Sequence, residues 1–460
     1  MFLLNKGIVA VVIVDRGGLS MKVVIIGGDA AGMSAAMEIV RARKDAQVVV
    51  LEKGPIYSYG QCGLPYAIDG RVNALEDLIA RSVEQFRSKY QIDARIYQEV
   101  TQVDTTNKVV KGVHSLTGKS FEENYDQLLI ASGATPIIPN IQGHKLKGIH
   151  SVKTIPQMEI LLQELPDVQH VTVIGGGYIG LEVTEALTLR GLKVTLVQRD
   201  NQLMSVLEKT FAQKLLEEAH KNGVDVRLQQ TVEAFEGDDR VHTVITNEAR
   251  VKTDLVIVAT GISPNTQFAQ HFQKLGNGAL VVDRQQRTSI QDVYAAGDCA
   301  SHFHRLKRAD DYLALGTTAN KQGRIAGRVI AGKEAAFNGI VGTSILQFFD
   351  LQIGLTGLTE REATEVGLTF NKYDWEANAV ASYYKTPPKL QFQLLVESET
   401  ERLLGLQMIG AMGVDKRIDV FATALYNEMT LAQLIDLDIS YSPPFNGVWD
   451  PLLQVAKRYS

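Results

Sequence analysis

Two short glycine-rich stretches, each between an apolar run and a small-residue segment, constrain this chain more than any other feature. The first is Lys22-Val23-Val24-Ile25-Ile26, then Gly27-Gly28-Asp29-Ala30-Ala31-Gly32, then Met33-Ser34-Ala35-Ala36. The second is Val171-Thr172-Val173-Ile174, then Gly175-Gly176-Gly177-Tyr178-Ile179-Gly180, with a helix expected from Leu181. A buried strand that turns sharply into a helix needs glycine at the turn, and again where the helix packs on the sheet. The helix N-terminus then offers unpaired N–H groups to a pyrophosphate. Two such units, 148 residues apart, predict an α/β chain with two Rossmann-like dinucleotide-binding domains.

The first unit departs from the pattern at Asp29, which stands where the middle glycine belongs. A carboxylate beside a phosphate is unfavourable unless it points away. The following strand, Gln47 to Leu51, ends in Glu52, 25 residues after Gly27 and placed to accept hydrogen bonds from a ribose. Gly27, Gly28, Ala30, Ala31, Gly32, Glu52 and Lys53 are assigned to this site. In the second unit the strand Lys193 to Val197 ends in Gln198 and Arg199, with no acid. An NADH-selective site wants a carboxylate there, whereas arginine can hold a 2′-phosphate. NADPH is therefore expected to be accepted; the alternative is that Arg199 is solvated and both nucleotides serve. Gly175, Gly177, Tyr178, Ile179, Gly180, Gln198 and Arg199 make up this site.

Val293-Tyr294-Ala295-Ala296-Gly297-Asp298 is a strand running into Gly-Asp, where a carboxylate can receive the hydroxyls of a flavin ribityl chain. Ala131-Ser132-Gly133-Ala134-Thr135-Pro136 and Ala259-Thr260-Gly261-Ile262-Ser263-Pro264 each close a strand with Gly and Pro, marking where chain crosses between domains. Ser132 and Gly133 join the flavin site and Gly261 the NAD(P) site.

Only two cysteines occur in 460 residues, which excludes a disulfide scaffold and fits a reducing cytoplasm. One, Cys62, lies in Tyr57-Ser58-Tyr59-Gly60-Gln61-Cys62-Gly63-Leu64-Pro65-Tyr66. If it opens the next helix, the dipole favours its thiolate; otherwise it is a small buried hydrophobe. Cys299 is read as structural. A net charge of −5 argues against nucleic acid as the partner. No segment approaches the ~18 apolar residues of a membrane helix, and no metal-ligand cluster is evident. Residues 1–20 are expected to be a loose extension or to come from an upstream start codon.

These features together resemble the FAD-dependent pyridine nucleotide-disulfide oxidoreductases, from Met21 to nearly the last residue. Tyr57 occupies the place of the first cysteine of the family's Cys-x4-Cys pair, so the chain resembles the single-cysteine branch, and within it the coenzyme A disulfide reductases. NADH oxidases and peroxidases of that branch carry a histidine in the first glycine loop; the matching residue here is Ala30.

The resemblance implies a C-terminal α+β dimerisation domain, seen in Gly413–Val420 and in Tyr441-Ser442-Pro443-Pro444-Phe445, and a homodimer with shared active sites. It also implies a domain order. An FAD domain spans 21–146 and 266–338, an NAD(P) domain is inserted at 147–265, and the dimerisation domain covers 339–460. It implies reduction of CoA disulfide by NADPH or NADH through FAD and a Cys62–S–S–CoA mixed disulfide. In this cycle Tyr441 and Tyr383 act as proton donors from the partner, Tyr178 gates the nicotinamide, and Glu182 lies near it. Ser58 and Gln61 are expected along the pantetheine arm, and Arg41 at the nucleotide end of CoA. A CoA-persulfide or polysulfide reductase and an NADH oxidase are the alternative readings.

Overall fold

The computed structural model describes residues 20–459. The expectation for the N-terminal extension therefore lies, but for Ser20, outside the described residues.

Apolar runs of five residues rich in Val and Ile become parallel strands buried on both faces. The first sheet runs, edge to edge, Val293–Ala295, Gln127–Ile130, Lys22–Ile26, Gln47–Leu51 and Asp93–Arg95. Ile26 lies opposite both Leu51 and Ile130, so the Gly27 turn and Glu52 leave the sheet side by side. The second sheet repeats the arrangement with Asp225–Arg227, Lys193–Val197, His170–Ile174, Leu255–Val258 and Ile149–His150. There Ile174 lies opposite Val197 and Val258. Each sheet is accompanied by a three-stranded antiparallel meander, Gln98–Asp104 to Ser120–Asn124 in one case and Val232–Gly237 to Arg250–Lys252 in the other. The two Gly-Pro stretches meet as an antiparallel pair, Ala134–Pro136 against Ile262–Pro264. Chain enters and leaves the second unit through this pair.

The helix Ala30–Ala42 packs on Gly316–Ile330 at very short range. A Cβ on Gly323 or Gly327 would strike the backbone of Ala31 or Ala35, so small residues on both helices allow the approach. In the second unit the helix starts at Tyr178, three residues before the expected Leu181. Gly177 is itself the N-cap, and its carbonyl accepts the Leu181 N–H at 2.9 Å.

The C-terminal part is a five-stranded antiparallel sheet ordered Ser344–Phe348, Leu351–Gly357, Leu403–Gly410, Lys389–Glu397, Phe370–Asn378. Helices Val414–Tyr426 and Pro451–Tyr459 help to close one core with it, built from Leu390, Phe392, Leu394, Phe421 and Leu452. At about 1.5–3 kcal/mol for each large apolar side chain removed from water, that cluster holds the sheet and helices as a unit.

Candidate active site

The two glycine loops are built alike to the level of single contacts. Gly27 and Gly175 have φ of +106° and +105°, and a Cβ on either would collide with the carbonyl of Ala131 or Ala259. A Cβ on Gly32 or Gly180 would collide with the carbonyl of Gly27 or Gly175. Neither following helix has a side-chain cap, which leaves its first-turn N–H groups open to an anion.

Glu52 reaches back over the first loop. Its Oε2 accepts the Gly28 N–H at 2.8 Å and its Oε1 the Gly54 N–H at 2.7 Å, while burial pushes its pKa up. Gln198 does the same in the second loop, its Oε1 accepting the Gly176 N–H at 2.9 Å. An amide thus takes the structural place of the carboxylate and carries no charge. Arg199 beside it is 79% exposed at the side chain, 3.6 Å from the Asp200 carboxylate. Gly177 has open space around its missing Cβ.

Asp29 points away from the loop. Its Oδ1 accepts the Tyr59 N–H at 3.2 Å and its Oδ2 the Gln61 Nε2 at 2.5 Å. Burial raises its pKa to about 6 against the lowering effect of those bonds. The carboxylate therefore belongs to the cysteine loop, and Gln61 spends an amide donor on it.

Cys62 sits in a one-turn 3-10 segment, Gln61–Gly63, ahead of the short helix Pro65–Ile68, and is exposed. Cys62 therefore precedes the helix rather than opening it, and the condition for a dipole-favoured thiolate is not met. Although Cys62 is open to solvent on one side, partial desolvation by the protein around it and the neighbouring Glu182 carboxylate push the thiol up, with Lys153 opposing them and Asp298 adding to them. A four-residue helix has too small a dipole to outweighs a nearby carboxylate and desolvation. Lys153 was not singled out by any motif, yet its Nζ lies 3.3 Å from Asp298 Oδ2 and it acts on both Cys62 and Asp29. Glu182 accepts a hydrogen bond from the Tyr66 hydroxyl at 3.0 Å, and burial raises its pKa. Ser58 is held at φ +48°, its N–H on the Gly28 carbonyl at 3.0 Å.

Tyr57 is fully buried, its hydroxyl donating to the carbonyls of Val50 and Arg95. Cys299 is buried with its thiol against the carbonyls of Ile130 and Ala296, both at 3.4 Å, in agreement with a structural role.

The remaining predicted positions spread outward. Ser132 Oγ donates to the Asn265 carbonyl at 2.6 Å, and the Gly133 carbonyl accepts the Asn265 N–H, so both brace the crossing pair. The Gly261 carbonyl accepts the Ile137 N–H there. Lys53 pairs with Glu99 at 2.6 Å. Ala30 and Ala31 begin the first helix, and Ile179 is exposed in the first turn of the second. The Tyr178 hydroxyl bonds Ser344 Oγ at 2.7 Å, tying the second loop to the C-terminal sheet. Arg41 is exposed and faces Glu38 at 3.8 Å, with Arg324 and Arg328 also near Glu38. Tyr383 and Tyr441 form a separate cluster on the C-terminal part, 71% and 47% exposed, where the Tyr441 hydroxyl pushes Tyr383 upward. Among the described residues there is no group of metal-ligating side chains and no helix long and apolar enough to cross a membrane.

The open helix termini, the glycine turns and the pinned Glu52 fit an FAD on the first loop and a nicotinamide dinucleotide on the second. Residues 21–323 match the family described as pyridine nucleotide-disulphide oxidoreductase, and residues 343–452 match its dimerisation domain. The chain belongs to this family of flavoprotein oxidoreductases, whose members use FAD and NAD(P)H.

A Pyrococcus abyssi protein named NAD(P)H sulfur oxidoreductase (CoA-dependent) is 38% identical, over 95% of this chain and 97% of its own. The structure of an NAD-dependent persulfide reductase from A. fulgidus superposes with a TM-score of 0.91 at 34% identity, covering 95% of this chain and 82% of that one. Reduced Bacillus anthracis CoADR-RHD gives 0.92 at 30% identity, covering 96% and 80%. A Methanocaldococcus jannaschii NADH oxidase is 32% identical over 95% of this chain and 98% of its own. A Staphylococcus epidermidis coenzyme A disulfide reductase is 27% identical over 92% and 96%.

Proposed function

We propose that this protein reduces sulfur–sulfur bonds carried by coenzyme A, using NAD(P)H and the thiol of Cys62. The observation that carries this reading is the isolation of Cys62. It is exposed, the other cysteine is buried against carbonyls, and Tyr57 fills the place of a resolving thiol. A thiol without an internal partner forms a disulfide only with a thiol from solution. FAD bound at Gly27–Gly32 and Glu52 would supply the two-electron relay between nicotinamide and sulfur.

The Cys62 thiolate attacks CoA disulfide, forming Cys62–S–S–CoA and expelling one CoA thiolate. Two electrons and a proton then release the second CoA-SH and restore the thiolate. The sum is NAD(P)H, H⁺ and CoA disulfide to NAD(P)⁺ and two CoA-SH. Because Glu182 and burial hold the thiol up, Lys153 is the chain's own cation favouring the attacking form. Arg41, with Arg324 and Arg328 close by, offers positive charge for the phosphates of CoA. Tyr441 and Tyr383 would protonate the leaving thiolate across a homodimer interface. Their exposure beside Phe445, Val448 and Trp449 supports a partner on that face.

A CoA persulfide or polysulfide is the second reading, and the names of the P. abyssi and A. fulgidus proteins favour it over the symmetrical disulfide. Its balance is NAD(P)H, H⁺ and CoA-S-SH to NAD(P)⁺, CoA-SH and hydrogen sulfide. Anaerobic turnover with each substrate, counting thiol and sulfide, decides between them. Turnover with neither, but rapid NAD(P)H oxidation in air, would refute both in favour of an oxidase, which Ala30 disfavours by placing no imidazole in the first loop.

A further inference from the structure

Asp29 is an expensive residue for its position. It replaces a glycine in a phosphate loop, buries a carboxylate near Glu52, and leaves the helix behind it uncapped. Both of its oxygens are spent on a different segment, the loop that carries Cys62. The start of that loop is tied to the nucleotide unit by the Tyr57 hydroxyl on the Val50 and Arg95 carbonyls and by the Ser58 N–H on the Gly28 carbonyl. Nearer Cys62 the other bonds run elsewhere, from the Tyr59 hydroxyl to the Lys153 carbonyl, from the Gly60 N–H to the Leu78 carbonyl and from the Ala80 N–H to the Ser58 carbonyl. Gln61, the residue next to Cys62, has the Asp29 carboxylate as its side-chain partner.

We propose that Asp29 is a positioning residue for the redox loop, a strut from the nucleotide helix that holds Tyr59 and Gln61 and so fixes where Cys62 presents its sulfur. The inference rests on Cys62 being the reacting thiol. The strut works because a carboxylate accepts from two donors at once, a backbone N–H and a side-chain amide, on opposite oxygens. Protonation converts one oxygen to a donor and forces Gln61 to turn its amide or let go. The strut thus has a charge-dependent state, and the groups facing it are Glu52 from the second strand, Lys153 from the segment before helix Ile155–Glu164, and Tyr59 from the loop. Cys62 in turn faces Glu182, Lys153 and Asp298. A loop that drifts loses the attraction of Lys153, and with it thiolate.

The test uses FAD-loaded enzyme, reduced and freed of thiols, reacted with 2,2′-dithiodipyridine from pH 4.5 to 9. The rate at Cys62 is read from released pyridinethione and located by peptide mass. For the native protein, the logarithm of the rate should show an inflection near pH 6 in addition to the thiol's own titration. Asp29→Asn keeps the shape and both contacts once Gln61 turns over, so it should abolish that inflection while holding the pH 8 rate within about threefold. Asp29→Gly, which copies Gly177 of the second loop, should abolish the inflection and slow the pH 8 reaction fivefold or more. Native, Asn and Gly proteins sharing one profile would overturn the proposal. Loss of reaction at Cys62 in the native protein would instead overturn the proposed function on which it rests.

Discussion

Replacing Arg417 by methionine should destabilise the C-terminal part by about 3–5 kcal/mol, the cost of leaving one member of a buried ion pair alone. Arg417 and Asp450 are 1% and 2% exposed, and the guanidinium Nε lies 3.0 Å and 3.3 Å from the two carboxylate oxygens. The remaining guanidinium nitrogens reach the carbonyls of Gly413 at 2.7 Å and Ala379 at 3.2 Å, and Asn446 Oδ1 at 3.2 Å. In Arg417→Met the Asp450 carboxylate keeps the Leu452 N–H at 2.9 Å but loses its counter-charge. The same centre anchors the segments on which Tyr383 and Tyr441 ride, because Ala379 precedes one, Asn446 follows the other, and the Ala381 N–H bonds the Pro443 carbonyl. Both tryptophans, Trp375 and Trp449, lie in this part of the chain, so indole fluorescence in a urea titration reports on it alone. With a slope of about 2 kcal/mol per molar urea, the midpoint should fall by roughly 2 M. The double variant Arg417→Met with Asp450→Leu removes the orphaned charge and should recover most of that loss. A single variant within about 1 kcal/mol of the native protein, or a double variant no better than the single, would refute the reasoning.

Three further outcomes follow from the loops. Gly180→Ala puts a Cβ on the Gly175 carbonyl, so the KM for NAD(P)H should rise tenfold or more while the protein stays yellow, checked by steady-state kinetics and flavin absorbance. Gln198→Glu with Arg199→Gln restores an acid at the ribose position, and the ratio of kcat/KM for NADPH over NADH should fall about tenfold or more, as expected when a charged hydrogen bond of roughly 1.5–3 kcal/mol changes sides. Asp29 has a folded pKa of about 6 against 3.8 unfolded, so the native state binds its proton more tightly and this stability is lost as pH rises from 3.8 through 6. Asp29→Asn should therefore gain up to about 3 kcal/mol on the native protein at pH 7 and nothing at pH 3.5, in urea titrations at the two values.

Much of the nucleotide-binding scaffold was readable because its determinants are local. Lys22–Ile26, Gln47–Leu51 and Lys193–Val197 fall where the apolar runs predict, and the glycines sit where a Cβ would meet backbone. The direction of the Asp29 side chain was not readable, since it depends on donors about 30 residues away at Tyr59 and Gln61. Nor was the electrostatic setting of Cys62. Helix-terminus reasoning left a thiolate and a small buried hydrophobe both open, because the desolvation by surrounding protein and the charges of Glu182 and Lys153 come from elements far along the chain. The Arg417–Asp450 centre escaped for the same reason. An arginine inside a helix reads as solvated until the fold folds its partner, 33 residues on, against it.

The central claim is that Cys62 works by a mixed disulfide with an external CoA thiol. Intact and peptide mass spectrometry of the protein, with Cys62 first reduced and freed of thiols, incubated with CoA disulfide and then with one equivalent of NAD(P)H without oxygen, tests it most directly. The account predicts one CoA on Cys62 and none on Cys299, released as CoA-SH by the nucleotide and absent in Cys62→Ser. A Cys62 that stays unmodified or accumulates as sulfenic acid, with NAD(P)H consumed only when oxygen is admitted, would contradict it.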